Sequence, residues 1–167
     1  MKVDVGDKLE REIKSFENLW FGGFCRSNPR VLGGWEGSVK GQQTQDLEKI
    51  SEVCIKPYMH SSTTALDIGT DGGVWLTQMT GAGSLIGMDI RPAWHTDFWT
   101  NMDLWLNRQR GYDLSKIDYI FSPDFSCAKL EENSIDYVFS YDVFCHISYS
   151  GTEEYLKNLY SKLRTGC

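Results

Sequence analysis

Four short apolar segments do most to limit what this chain can fold into: TTALDI at 63–68, SLIGMDI at 84–90, IDYIF at 117–121 and IDYVFS at 135–140. Each is rich in branched or aromatic residues and ends in a polar group or a turn signal, the mark of a buried strand. Helix-length stretches separate them, at about 73–80 and 94–108, with a connection through Leu130 before the last strand. A final helix opened by Thr152, with Glu153 and Glu154 in its first turn, turns Tyr155, Leu156, Leu159 and Leu163 inward. Strands alternating with helices predict an α/β domain, a doubly wound and mostly parallel sheet with right-handed crossovers.

The first sixty residues have a different rhythm. Leu9, Ile13, Phe16 and Trp20 recur on one helical face, with Asp7 and Glu10 as an N-terminal cap. A glycine-rich loop over 21–41 carries Phe21, Phe24, Arg26 and Trp35, and with Trp20 its aromatics are candidates for a lid. A second helix over about 44–56 places Leu47, Ile50 and Cys54 on one face and stops near Pro57. The expected organisation is an N-terminal helical extension or cap at 1–60 and a core at 61–167, with no internal repeat.

At 167 residues the chain has room for one domain. Seventeen basic against 23 acidic side chains leave a net charge of -6, a field that repels nucleic-acid phosphates and anionic lipid. No apolar run approaches the roughly 20 residues that span a bilayer, and the polar opening MKVDVGDKLE does not resemble a signal peptide. The expectation is a soluble, cytoplasmic protein with no nucleic-acid or membrane partner. Its cysteines, Cys25, Cys54, Cys127, Cys145 and Cys167, are odd in number and form no CxxC pair, so reduced thiols are expected and no metal.

The chemistry lies where the strands end. The first strand runs into Asp67-Ile68-Gly69-Thr70-Asp71-Gly72-Gly73, and the second ends in Met88-Asp89-Ile90, twenty positions after Gly69. A glycine turn lets backbone N–H groups approach a ligand, and a carboxylate at the next strand's tip can accept from a ribose diol. A nucleoside-bearing cofactor follows. A dinucleotide site would want glycines at 69, 71 and 74, but Asp71 and Val74 stand at the latter two, so a nicotinamide oxidoreductase is disfavoured. Asp71 beside a helix N-terminus suits a cationic or zwitterionic ligand better than a diphosphate.

These residues resemble the first motif of the class I S-adenosylmethionine-dependent methyltransferases, an acidic residue followed by Gly-x-Gly-x-Gly. Asp67, Gly69 and Gly73 match it, and Asp71 replaces the middle glycine. Ser122-Pro123-Asp124-Phe125, then Asn133-Ser134-Ile135-Asp136-Tyr137-Val138, is similar to the family's path from the third strand to the fourth, and Leu163-Arg164-Thr165-Gly166-Cys167 to the turn that closes the next helix. The resemblance covers about 60–167 and implies a Rossmann-like sheet that stops after strand four, binding S-adenosyl-L-methionine. It implies that Asp67, Gly69, Thr70, Asp71 and Gly73 line the methionine portion, with Asp67 near its amino group. It assigns the ribose hydroxyls to Asp89, the adenine amine to Asp124, the two faces of the ring to Ile90 and Phe125, and a further cofactor contact to Ser140.

Methyl transfer from a sulfonium needs alignment and a dry pocket, and a base only when the acceptor is a hydroxyl. Asp142 and His146 follow strand four, where the family places acceptor-facing residues, and are the candidate catalytic groups. The expected activity is methyl transfer to a small molecule; the alternative is a non-catalytic S-adenosylmethionine-binding or interaction module. In the family's order, three-two-one-four, strand four would be an edge, with Tyr137 and Phe139 on one face and Val138 on the other. The expectation is therefore either the front part of a longer methyltransferase or a homodimer that covers this edge.

Overall fold

A computed structural model describes residues 47–166 together with Arg11, Lys14 and Ser15. The helical face from Leu9 to Trp20 and the aromatic loop with its proposed lid lie outside the described residues. Four strands, β1 (Thr64–Ile68), β2 (Ser84–Asp89), β3 (Ile117–Phe121) and β4 (Tyr137–Ser140), form one parallel sheet in the order β3-β2-β1-β4. They coincide with the four apolar segments of the sequence, and β4 lies at the edge. Ile135, at the head of the fourth segment, makes only an isolated bridge to Leu163.

Alternation along each strand divides the core in two. On one face Ala65, Leu85 and Ile117 pack with Leu76, Met79, Phe98, Met102 and Leu106, and Tyr137 and Phe139 join them. On the other, Leu66, Ile68 and Met88 pack with Phe125, Leu130, Ile135, Tyr155 and Leu159, and Val138 joins these. The two faces of β4 are thus divided as its sequence implies.

The connections depart from expectation in instructive ways. Over 73–80 there is only a 3-10 turn, Leu76–Gln78, because glycines precede it and the Thr77 hydroxyl donates to the Val74 carbonyl at 2.7 Å, a local bond that competes with helix. The next helix, α1 (Phe98–Met102), starts late because Asp97 takes a left-handed φ of 53°, and it widens into a π-turn over Asp103–Arg108. A π-turn at Ser51–Ile55 likewise adds a residue to the helical stretch described from 47. The inward position therefore moves from Cys54, which is exposed, to Ile55, which is fully buried, and Leu47 and Ile55 pack on the first face. The last helix, α2 (Tyr149–Tyr160), opens at Ser148 rather than Thr152, its hydroxyl accepting from the Gly151 N–H at 3.2 Å. That register turns Tyr155 and Leu159 inward but leaves Leu156 half exposed. No helix among the described residues is long and apolar enough to cross a membrane.

Candidate active site

Parallel pairing brings the C-terminal ends of β1, β2 and β4 to one edge of the sheet, and the predicted Asp67-to-Gly73 turn sits there. The turn is stitched to β2, since the N–H groups of Gly69 and Thr70 both donate to the Met88 carbonyl, at 2.8 and 3.2 Å. Gly69 (φ 69°) and Gly73 (φ 87°) occupy the left-handed region that glycine enters freely. Asp71 enters it too, at φ 47°, a position that aspartate tolerates better than most side chains. Asn101 holds the turn from α1, donating to the Gly72 carbonyl at 3.2 Å. A methyl on Gly69 would overlap Val143, in the loop after β4. Gly69→Ala is therefore expected to cost about 1 to 3 kcal/mol in urea unfolding, from overpacking plus a strained φ. Adding Val143→Ala should recover the packing share and leave only the strain; no recovery would place the whole cost in the backbone.

Three carboxylates meet under the turn. Asp67 is only 1% exposed, and its Oδ2 has no hydrogen-bond partner. Burial pushes its carboxyl up to about 7; the nearby Thr70 hydroxyl pulls the other way, and the charges of Asp89 and Asp71 add to the rise. Asp89, at the tip of β2, accepts at Oδ2 from the Asp71 N–H (2.9 Å) and at Oδ1 from the Arg91 N–H (2.9 Å) and Nε (3.2 Å). The Arg91 Nη2 reaches on to Asp71 Oδ1 at 2.8 Å, so one buried guanidinium bridges both acids. A carboxylate has about four acceptor places, so Asp89 has about one left for a ligand rather than the two a ribose diol would use.

Arg91 is the residue that sequence reasoning missed. The available signal was the Asp-x-Arg spacing at a strand end, where an aspartate side chain accepts from the N–H two residues on. The same local turn occupies Asp124, whose Oδ1 accepts from the Ser126 N–H (3.0 Å) and hydroxyl (2.6 Å). Phe125 is buried in the second core cluster, its ring 5.4 Å from that of Tyr155, so it packs beneath the site rather than standing open for a ring to stack on it. Ile90 is half-buried beside Asp89, and the Ser140 hydroxyl donates to the Ile68 carbonyl at 3.2 Å, joining β4 to β1.

Beyond β4, Asp142 adopts φ 59° and a 3-10 turn follows at Phe144–His146. The Asp142 carboxylate accepts from the Cys145 thiol at 3.1 Å and holds that thiol above its usual range, and His146 Nε2 lies 3.7 Å from Asp142 Oδ1. Both candidate catalytic residues are therefore together, exposed, and tied to the glycine turn through Val143.

No protein-family model and no curated protein matches the chain. Solved structures do. The chain superposes on a phosphoethanolamine N-methyltransferase from Haemonchus contortus, solved with phosphoethanolamine and S-adenosylhomocysteine, over 93% of its length at a TM-score of 0.64 and 21% identity. It superposes on a SAM-dependent methyltransferase from Aquifex aeolicus over 98% of its length (TM-score 0.53, 15% identity). The chain has the class I methyltransferase fold. An arsenic(III) S-adenosylmethionine methyltransferase from Chlamydomonas reinhardtii shares the fold over 65% of the chain (TM-score 0.54, 23% identity). The chain spans 31%, 69% and 37% of these three chains respectively. Within the class I methyltransferase fold, the Asp67–Gly73 turn, Asp89 and the Asp142–His146 loop all lie at the same end of the sheet, where open α/β sheets bind ligands.

Proposed function

We propose that this chain binds S-adenosyl-L-methionine across the C-terminal ends of β1, β2 and β3 and serves the transfer of its methyl group to a small-molecule acceptor. The observation that carries this reading is the buried Asp67 carboxylate, with a partnerless Oδ2, under a glycine turn and beside a second acid at the next strand tip. Such a group is costly unless something cationic meets it. Arg91 engages Asp71 and Asp89, and the buried Asp67 Oδ2 is left to a ligand carrying positive charge.

When bound, S-adenosylmethionine supplies a methyl group on a good leaving group. The chain's own residues bind and orient it: Asp67 takes the amino group, the 69–73 turn backs the methionine portion, and Asp89 offers its remaining acceptor place to one ribose hydroxyl. The adenine amine and ring remain assigned to Asp124 and Ile90. His146, with Asp142 beside it, stands ready to accept a proton from a hydroxyl or ammonium acceptor. The acidic surface supports a small acceptor over a nucleic acid. The S-adenosylhomocysteine in the Haemonchus structure supports the cofactor class. The engagement of Asp89 by Arg91 favours a second reading, a non-catalytic interaction module on this fold with weakened cofactor binding, and calorimetry followed by a methyl-release assay separates the two.

Calorimetry with S-adenosylhomocysteine tests the cofactor assignment. Asp89→Ala is expected to weaken binding by roughly tenfold to a hundredfold, the worth of a charge-assisted hydrogen bond of about 1.5 to 3 kcal/mol. Undiminished affinity in a folded Asp89→Ala protein would remove Asp89 from the ribose site.

A further inference from the structure

Asp142, Cys145 and His146 present a carboxylate oxygen, a sulfur and an imidazole nitrogen that all lie within 4.8 Å of one another. Sγ of Cys145 is 3.1 Å, and Nε2 of His146 3.7 Å, from Oδ1 of Asp142. A tetrahedral zinc ion, with Zn–S about 2.3 Å and Zn–N and Zn–O about 2.0 to 2.1 Å, sets its S···O and N···O edges at roughly 3.5 and 3.3 Å. The two separations fall either side of those edges, and all three side chains are exposed.

We propose that Asp142, Cys145 and His146 supply three ligands to a divalent cation of the zinc class, with the fourth position open among the described residues. The spacing i, i+3, i+4 would bring the three together on any helical turn. Here the left-handed Asp142 and the Phe144–His146 turn do so at the end of β4. The donor set is selective: a sulfur and an imidazole suit zinc over magnesium or calcium, which take oxygen. The charges balance as well. Binding forms a Zn–S bond as the Cys145 thiol loses its proton to solvent, and thiolate, carboxylate and neutral imidazole then supply two negative charges against two positive. Among the described residues the set has three ligands and one open place, which matches a working zinc ion rather than a structural one. Val143, between Asp142 and the turn, packs close to Gly69, so the three donors stand beside the glycine turn. On the methyl-transfer reading, on which this one consequence rests, the ion would hold the acceptor's hydroxyl or thiol and lower its pKa, and His146 would coordinate instead of accepting the proton.

Metal titration of the full chain, stripped with chelator under reducing conditions, tests the site without any need for turnover. Cobalt is expected to bind at one per chain, with the intense d–d bands of a tetrahedral site and a near-ultraviolet thiolate band, and zinc should displace it. Cys145→Ser should abolish the thiolate band, and Asp142→Asn and His146→Ala should each weaken zinc binding by roughly tenfold or more. The three side chains are exposed, so the variants should keep the wild-type circular dichroism. Absence of stoichiometric binding, or a thiolate band that survives Cys145→Ser and so belongs to another cysteine, would overturn the proposal. Parallel calorimetry with S-adenosylhomocysteine separates the readings: zinc bound by a protein that ignores the nucleoside keeps the metal site and removes the methyl acceptor.

Discussion

Asp67→Asn is expected to make the protein more stable at neutral pH and less able to bind the proposed cofactor. The aspartate is buried with an unpartnered oxygen, and its carboxyl is raised to about 7. Unfolded, it would titrate near 3.9, so between about pH 4 and pH 7 the folded protein holds a proton that the unfolded chain has lost. Stability from this group is therefore full below pH 4 and falls as pH rises, the loss being complete above about 7. Three pH units correspond to about 4 kcal/mol, as an order of magnitude. Asparagine has the same shape and no charge, and it removes that slope. The measurement is the difference in urea unfolding free energy between variant and wild type at pH 4, 5.5 and 7.5, which cancels the other titrating groups. It should be near zero at pH 4 and reach a few kcal/mol at pH 7.5. Parallel curves would show that Asp67 is not a buried, destabilised acid. In the proposed complex the cofactor's ammonium group keeps Asp67 ionised, so binding at pH 6 should release a proton. The variant should bind S-adenosylhomocysteine roughly tenfold to a hundredfold more weakly, for the loss of a charge-assisted bond.

Arg91→Met is expected to be the most destabilising single change at the site. The guanidinium is buried and donates to Asp89 and Asp71 at once, and methionine preserves much of the stem volume while removing the charge. Breaking a buried pair by deleting one partner costs about 3 to 5 kcal/mol, because the charges left behind keep their desolvation penalty. The rescue is built into the turn. Asp71→Gly removes one stranded acid and places glycine where φ is 47°, so the double variant should recover part of the loss, and the non-additivity measures the Asp71–Arg91 coupling. A cost below about 1 kcal/mol for Arg91→Met would mean that the bridge behaves as a solvated surface pair.

The strands and the place of the site were legible in the chain itself. The branched and aromatic make-up of SLIGMDI and IDYVFS, and glycines at 69 and 73 that enter the left-handed region without strain, are local signals that act within a few residues. Parallel pairing then leaves little choice about where Asp67, Gly69 and Asp89 end up, since strand ends bring their turns together. The tertiary structure decided the rest. A π-turn shifted the buried position by one residue, from Cys54 to Ile55, and the face that the last helix turns to the sheet buries Tyr155 and Leu159 and leaves Leu156 half exposed. Phe125 was drawn into the core by Tyr155, thirty positions away. Arg91 reaches Asp71 across twenty residues, and the partner of a long, flexible side chain depends on which loops the sheet brings near it. Periodicity and turn chemistry are local and survive in the sequence, whereas pairing between loops is decided only when the strands have closed.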